Sequence, residues 1–518
     1  MPAMAACQPL HFYLNTLGPF CLRHFLHLFQ KPPILSLGAS DAVLQPLLSS
    51  VPEFVLMKKP PALKGRTDRV FDLLVRPPHK QRLADYLALL KPLDDQGRYL
   101  PFEALRYRWA AGLDVNLCWA LVKKARVAQY VDLLPLGEPV QWGKYLLTPL
   151  AQRTLSIVDR QTTSAALDYM TSQIGERAHF SYLLNDLIED EAIASSQLEG
   201  AATTTRVAKD MLKRQRQPRT PDERMVMGNY RMMNFAWEKR YEPLSVELIS
   251  AMHRVGVEGI DDEQYSPGMF RANDEVVVQD GAGNTVHRPP PATGLVLRLE
   301  RLSQWINLAH ELPHHKAYLH PLIKAITLHF ALGYEHPFRD GNGRVARALF
   351  YWFMFKNEFA AFRYIAISLL LRNAPVKYGR SYLHTEADEL DLTYFIEFQC
   401  SVIVRAVSRF DEAWRKSVAF SEDFERWLTR AGFFERLTEP QRSLYQAAKN
   451  GVAKEFTAGN VMEHLGCSCN SAMSTLNGLV ELQIFEKRKM GSEWVFFLHI
   501  ANELKNGSER SRSRSESA

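Results

Sequence analysis

Two stretches near the middle of the chain, PLIKAITLHFALGYE (321–335) and ALFYWFMFK (348–356), are apolar on every side rather than along one stripe. That pattern predicts helices buried all round. Upstream, from about Ser164 to His310, SAALDYMTSQIGERAHFSYLLNDLIEDEAIASSQLEG, RTPDERMVMGNYRMMNFAWEKRY, SVELISAMHRVGV and GLVLRLERLSQWIN read as helices. The segment EVVVQDGAGNTVHRPP interrupts them. Val276, Val277 and Val278 are strand-like, Asp280 to Asn284 is turn chemistry, and Thr285 to His287 returns as a second strand, so a β-hairpin is expected.

The flanks differ from this centre. From Thr67 to Leu146 short helical stretches such as HKQRLADYLALLK alternate with turns such as PLDDQGRYLP and PLGEP, the pattern of a small amino-terminal domain. At the other end TEPQRSLYQAAKN, FTAGNVMEHLG and CSCNSAMSTLNGLVELQ predict three short helices, and IFEKRKMGSEWVFF a hairpin, together a winged-helix unit. The expected fold is mainly α. Its divisions are a poorly defined extension at 1–56, an amino-terminal domain at 57–160, a helical core at 161–410, the winged-helix domain at 420–500 and a disordered tail at 501–518. Residues 1–56 are apolar and aromatic but broken by His, Arg and Pro, and are expected to be an upstream extension, with an ordered role or targeting as the alternatives. No uninterrupted apolar run reaches membrane-spanning length.

Composition narrows the class without naming a chemistry. Hydrophobic residues make up 46% of the 518 and charged residues 23%, as in soluble globular proteins. Sixty-three Lys and Arg against 57 Asp and Glu leave +6, a weak pointer to nucleic acid. Six cysteines do not make a disulfide scaffold, and a cytoplasmic setting is expected.

Chemistry concentrates between the two apolar runs, in HPFRDGNGRVAR (336–347). Gly341 and Gly343 permit a tight turn and close approach of a ligand to backbone. The N–H groups opening the following helix form an anion site. Arg344 and Arg347, three apart, can face that site. Asp340 is placed to hold Mg²⁺ between phosphates, Asn342 offers an amide to a phosphate oxygen, and His336 can take a proton from a hydroxyl nucleophile. Phe338 has a structural reading only, as a plug that directs His336. Taken singly, each polar residue here is a turn, a core histidine or a solvent-facing arginine. Gathered in one short stretch between buried helices, they are parts for phosphoryl or nucleotidyl transfer.

HPFRDGNGRVAR resembles the signature of the Fic (filamentation induced by cAMP) family at His336, Phe338, Asp340, Gly341, Asn342, Gly343, Arg344 and Arg347. The resemblance covers roughly Ser164 to Val404. It implies a Fic helical core with a β-hairpin flap and transfer of AMP from ATP to a Ser, Thr or Tyr hydroxyl of a protein. His336 would be the base and Asp340 the Mg²⁺ ligand. Asn342 and the glycine backbone would hold the α-phosphate, and Arg344 and Arg347 the outer phosphates. SSQLEG resembles the family's inhibitory helix and gives Ser195, Glu199 and Gly200, with Glu199 expected to occupy Arg347. The hairpin resembles the flap that pairs with target backbone, with Val276, Val277 and Val278 as its target-binding strand. Tyr378 and Tyr382 are expected near the nucleoside, although Gly379 stands where many relatives carry a second aromatic residue. Asp391 is read as a helix cap.

The ligands this implies are ATP and Mg²⁺, and the partner an unidentified protein with an exposed hydroxyl. Self-modification and a homodimer are compatible readings, and no membrane partner is expected. The alternatives are removal of AMP with Glu199 orienting water, transfer of another nucleotide, and a DNA-binding regulator carrying a Fic core. DNA binding through the winged helix is not favoured, because CNSAMSTLNGLVEL has no Lys or Arg and only Lys487, Arg488 and Lys489 lie in the wing. Cys467 and Cys469 beside His464 do not follow a zinc spacing and are read as core or turn residues.

Overall fold

The computed structural model of the chain describes residues 57–499 except 64, 175–188, 215, 261–265, 281–282, 310–317, 431, 433, 450–452 and 492. The readings of 1–56 as an extension and 501–518 as a tail therefore lie outside the described residues. The fold is mainly α, with three separate two-stranded antiparallel sheets among the described residues.

The two all-round apolar stretches form helices Pro321–Glu335 and Asn342–Lys356 at the centre of the largest hydrophobic cluster. Every residue from Pro321 to Leu332 is buried. At roughly 1.5–3 kcal/mol for each large apolar side chain removed from water, these two helices anchor the core. Helices Pro221–Glu238, Val246–Val257 and Leu295–Asn307 add to the same cluster. Thr220 and Ser245 accept hydrogen bonds from the third residue of their helices, as caps do.

The amino-terminal part packs helices Arg66–Leu74 and Val115–Val127 around Val70, Leu74, Leu117 and Leu121. A hairpin of Val131–Leu136 and Gln141–Tyr145 follows. This part is fastened to the core by a buried polar network. Asp391 accepts from the Tyr99 and Tyr130 hydroxyls at 2.5 and 2.7 Å. Arg126 donates to the Tyr394 hydroxyl at 2.7 Å, and Lys123 pairs with Asp388 at 2.8 Å. Asp391 also accepts from Thr393 N at 3.1 Å, at the start of helix Thr393–Arg430, so it caps that helix while stapling two parts of the chain.

Helix Thr393–Arg430 has 38 residues. Its first half lies in the main core, and Phe424 and Leu428 near its end enter a second cluster. That cluster is built by helices Glu439–Lys449, Ala458–Leu465 and Cys469–Glu481 with the hairpin Phe485–Met490/Glu493–Leu498. Glu455 of this carboxy-terminal unit pairs with Arg214, which follows helix Thr205–Lys213.

The segment Val277–Arg288 divides from the other described residues. It does contain a hairpin, but the first strand is Val278–Gln279 and not Val276–Val278. The second strand, Thr285–His287, is where the pattern places it. The register shifts between Val278 and Gln279, and the Asp280 carboxylate accepts from Asn284 N at 2.9 Å. This Asp–Asn turn sets where pairing begins, and Val276 and Val277 fall outside it. No helix among the described residues is long and apolar enough to cross a membrane.

Candidate functional site

Helix Pro321–Glu335 ends at His336, whose backbone turns left-handed (φ 47°, ψ 60°) and donates its N–H to Leu332 O. The His336 ring places Nδ1 3.2 Å from the carbonyl of Gly333. A carbonyl only accepts, so Nδ1 carries the proton and Nε2 is the basic nitrogen. That is the tautomer a general base needs.

The loop after His336 is held by its own residues. Asn342 Oδ1 accepts from Phe338 N, and Asn342 Nδ2 donates to Phe338 O, both at 2.8 Å. The sequence reading gave this amide to a phosphate oxygen, but both its polar atoms are engaged in closing the loop. Gly341, at φ 78°, caps helix Asn342–Lys356 in a conformation that favours glycine. Asp340 Oδ1 accepts from Gly341 N at 2.5 Å. Phe338 is fully buried and plugs the loop into the core, as its position suggests.

The surface under Phe338 is His253, a residue the sequence reading did not single out. The two rings stack at 3.8 Å and 8°. His253 Nδ1 accepts from Gly268 N at 3.0 Å, so Nε2 carries the proton and donates to Asp340 O at 3.1 Å. Burial, with repulsion from Arg344 adding to it, pushes His253 down to about 4. It is therefore a neutral strut under the loop.

The two motif arginines diverge. Arg344 donates from Nη1 to Gly256 O at 3.1 Å. Arg347 turns to residues 189–200, where a helix over 189–198 ends at Glu199. Its Nε donates to Ser195 Oγ at 2.9 Å, and its Nη2 to Ser195 O at 3.1 Å and to Glu199 Oε1 at 2.7 Å. Burial works against the Arg347 charge, but Glu199, with Tyr378 and Glu191 nearby, more than offsets it, so the guanidinium is held more basic than usual. Arg347 Nη1 is buried with no hydrogen-bond partner among the described residues.

Gly343 shows where the Glu199 carboxylate lies. A Cβ on Gly343 would sit 2.2 Å from Glu199 Oε1 and 3.0 Å from Arg347 Nη1. The carboxylate thus rests against the first turn of helix Asn342–Lys356, where free N–H groups and the helix dipole favour an anion. It stands in for a bound anion, and the cradle around it fits a phosphate. Among the described residues no group of three or more His, Cys, Asp or Glu could hold a metal by itself. One carboxylate, Asp340, beside an anion cradle suits Mg²⁺ shared with phosphate oxygens rather than a protein cage.

The helix over 189–198 is secured behind Glu199. The Glu191 carboxylate accepts from Ser368 N at 2.8 Å and from Ser368 Oγ at 2.5 Å. Burial raises its pKa despite those bonds. Gln197 accepts from Arg372, and Lys209 on helix Thr205–Lys213 pairs with Asp190 at 2.8 Å. Gly200 follows at φ 101°. Tyr378 is committed to the core more than the sequence suggests. Its hydroxyl meets His329 Nε2 at 2.8 Å, and its ring packs against Tyr382 and Phe398. Glu191, His253 and His329 escaped the sequence reading because each lies in an ordinary helical stretch, far in sequence from what it touches.

The Fic/DOC family profile matches residues 243–354. "Protein adenylyltransferase Fic" of Drosophila melanogaster is 40% identical over 106 residues, covering 20% of this chain and 19% of that protein. The Drosophila yakuba protein of the same name is 33% identical over the same length. The chain thus spans about a fifth of the length of the curated relatives it matches. Among solved structures, a Fic family protein from Desulfovibrio desulfuricans G20 is 19% identical, with 67% of this chain and 94% of that one covered at a TM-score of 0.41. Fic-1 (residues 134–508) from C. elegans is 16% identical, with 68% and 89% covered at a TM-score of 0.40. Residues 243–354 of the chain thus correspond to a Fic/DOC family domain.

Proposed function

We propose that the protein is an adenylyltransferase that joins AMP to a Ser, Thr or Tyr hydroxyl of another protein and is held inhibited by Glu199. The observation that carries this reading is the Glu199 carboxylate in the anion cradle, against Gly343 and paired with Arg347. An anion site occupied by the chain's own carboxylate suits an enzyme whose substrate is a polyphosphate and whose resting state is closed. ATP with Mg²⁺ supplies the α-phosphorus electrophile and the pyrophosphate leaving group. His336 Nε2 takes the proton of the target hydroxyl as its oxygen bonds to phosphorus. Asp340 would hold the metal, and the N–H groups of Asn342 and Gly343 would bind the α-phosphate. Arg344 and Arg347 neutralise the outer phosphates, Arg347 only after Glu199 leaves it. Tyr378 borders the nucleoside. Val276, Val277 and the strand at Val278 belong to the target-binding flap, where main-chain bonding gives affinity with little sequence demand.

We read the carboxy-terminal unit as a winged helix used for protein contact or for packing against the helical core. Its third helix, Cys469–Glu481, exposes Cys469, Asn470, Ser471 and Ser474 but no basic residue. Its wing carries Lys487, Arg488 and Lys489, and Arg488 is paired with Glu486.

The test is transfer of label from α-labelled ATP with Mg²⁺ to lysate protein. Glu199→Gly should label strongly, wild type weakly, and Glu199→Gly with His336→Ala not at all. No label from folded Glu199→Gly overturns the reading and turns attention to AMP removal or another donor nucleotide.

A further inference from the structure

One buried guanidinium outside the signature joins three passages of chain around the catalytic histidine. Arg271 is 5% exposed. Its Nε donates to His336 O at 3.0 Å, and its Nη2 to Glu335 O at 3.2 Å and to Pro290 O. Its Nη1 donates to Asn273 O at 3.2 Å and meets the Asp274 carboxylate at 3.3 Å. Its own backbone N–H donates to Pro337 O at 2.8 Å. Asp274 in turn accepts from Ala292 N at 2.6 Å. Residues 271–274 lead into the hairpin unit Val277–Arg288 and residues 290–292 lead out of it.

His336 needs such a clamp. It is not glycine, yet its φ is 47°, a region that costs L-residues about 1 kcal/mol or more. It also ends a helix, so the carbonyls of Glu335 and His336 lack the partners a continuing helix would provide. A buried cation answers both needs, satisfying those carbonyls and the negative end of the helix dipole. Its pairing is shared rather than exclusive. Arg298 donates to Glu335 Oε2 at 2.7 Å, so two arginines face Asp274 and Glu335. Among the described residues, the hydrogen bonds of Arg271 go to Asn273, Asp274, Pro290, Glu335, His336 and Pro337 and not to residues 340–347, which form the anion cradle.

We infer that Arg271 is a positioning residue that fixes the His336 backbone in one frame with both chain passages flanking the target-binding hairpin. It thereby sets the placement of the base without taking part in nucleotide binding. The inference rests on the transfer reading above. Lysine keeps the charge, but its single nitrogen cannot span the carbonyls of His336 and Glu335 and the Asp274 side at once.

The experiment places Arg271→Lys and Arg271→Gln in the Glu199→Gly background. Three quantities are read: label transfer at saturating ATP, the ATP concentration for half-saturation, and affinity for a fluorescent ATP analogue. The saturated rate should fall about tenfold or more in Arg271→Lys, because misplacing a catalytic group by a fraction of an ångström has that effect. Half-saturation and analogue affinity should stay within about twofold of the parent, whose cradle is untouched. A rate within twofold of the parent overturns the inference. So does a parallel loss of rate and nucleotide affinity, or an Arg271→Lys protein that does not fold, since either assigns Arg271 to general stability. If the Glu199→Gly parent transfers nothing, the functional reading is what has failed.

Discussion

The hold of Glu199 on Arg347 has two components, charge and bulk, and Glu199→Gln separates them. The paired atoms are 2.7 Å apart, with Arg347 3% and Glu199 24% exposed. Opposite charges whose centres lie about 4 Å apart, as in such a contact, attract by about 4 kcal/mol at an effective dielectric of about 20. Exposure of Glu199 to solvent removes roughly half of that, leaving about 2 kcal/mol. An amide oxygen still accepts from Arg347 Nη2, which retains about 1 kcal/mol. Glu199→Gln should therefore raise the initial rate of AMP transfer about fivefold, and Glu199→Gly, which removes the whole interaction and the bulk against Gly343, about thirtyfold. The assay is initial label transfer at saturating ATP-Mg²⁺ with all three proteins at equal folded concentration. Glu199→Gln indistinguishable from wild type beside an active Glu199→Gly would refute the charge argument, and the block would then be the volume of the side chain over Gly343.

Three further outcomes are expected. Burial, with the charge of Arg347 adding to it, pushes His329 down to about 3. The unfolded chain protonates it near 6.5, so its stability contribution is complete above that pH and is lost as pH falls toward 3, reaching about 2 kcal/mol of loss near pH 5. Urea melts at neutral pH and near pH 5 should show a loss about 2 kcal/mol smaller in His329→Gln than in wild type, the remainder coming from other buried histidines such as His253, and equal losses in both would refute it. Asp391→Asn weakens two tyrosine hydrogen bonds in a buried charged network and should cost about 2–4 kcal/mol in denaturant melts. A change under about 0.5 kcal/mol would show the network to be dispensable. Asn342→Ala leaves Phe338 N and O without their partners and should lower both melting temperature and transfer rate, by about 2 kcal/mol in stability. An unaltered rate would show that the loop keeps its shape unaided.

What was legible in the sequence is what is contiguous. HPFRDGNGRVAR and SSQLEG each carry their chemistry in a few adjacent residues, and Arg347, Ser195 and Glu199 do meet. The all-round apolarity of 321–335 and 348–356 likewise announced the buried centre, because no other environment suits such helices. What was not legible depends on distant chain. His253 looks like any histidine in an apolar helix until Phe338 is stacked on it. Arg271 sits in SPGMFR, where nothing marks it as the partner of His336 O, 65 residues on. The polar residues Lys123, Arg126, Asp388 and Asp391 would each be placed on a surface by composition alone, and burial becomes tolerable only because they find one another. Strand placement failed by a smaller margin, since three consecutive valines are attractive strand formers and the Asp280–Asn284 turn, not propensity, decides where pairing starts.

Helix Thr393–Arg430 enters both hydrophobic clusters, and between Asp411 and Phe420 none of its residues is fully buried. A continuous helix has a rotational phase as well as a length. One residue inserted in this exposed stretch would turn everything beyond it by about 100° and advance it by about 1.5 Å. Phe424 and Leu428 would then present the carboxy-terminal unit in a new direction, and Glu455 would swing away from Arg214 and the helix that leads back to Asp190. Seven inserted residues would bring the phase back to within about 20° while displacing the unit by about 10 Å. The two clusters are geared to each other through the pitch of one helix, so its residue count is a dimension of the molecule as binding as any side chain in the loop.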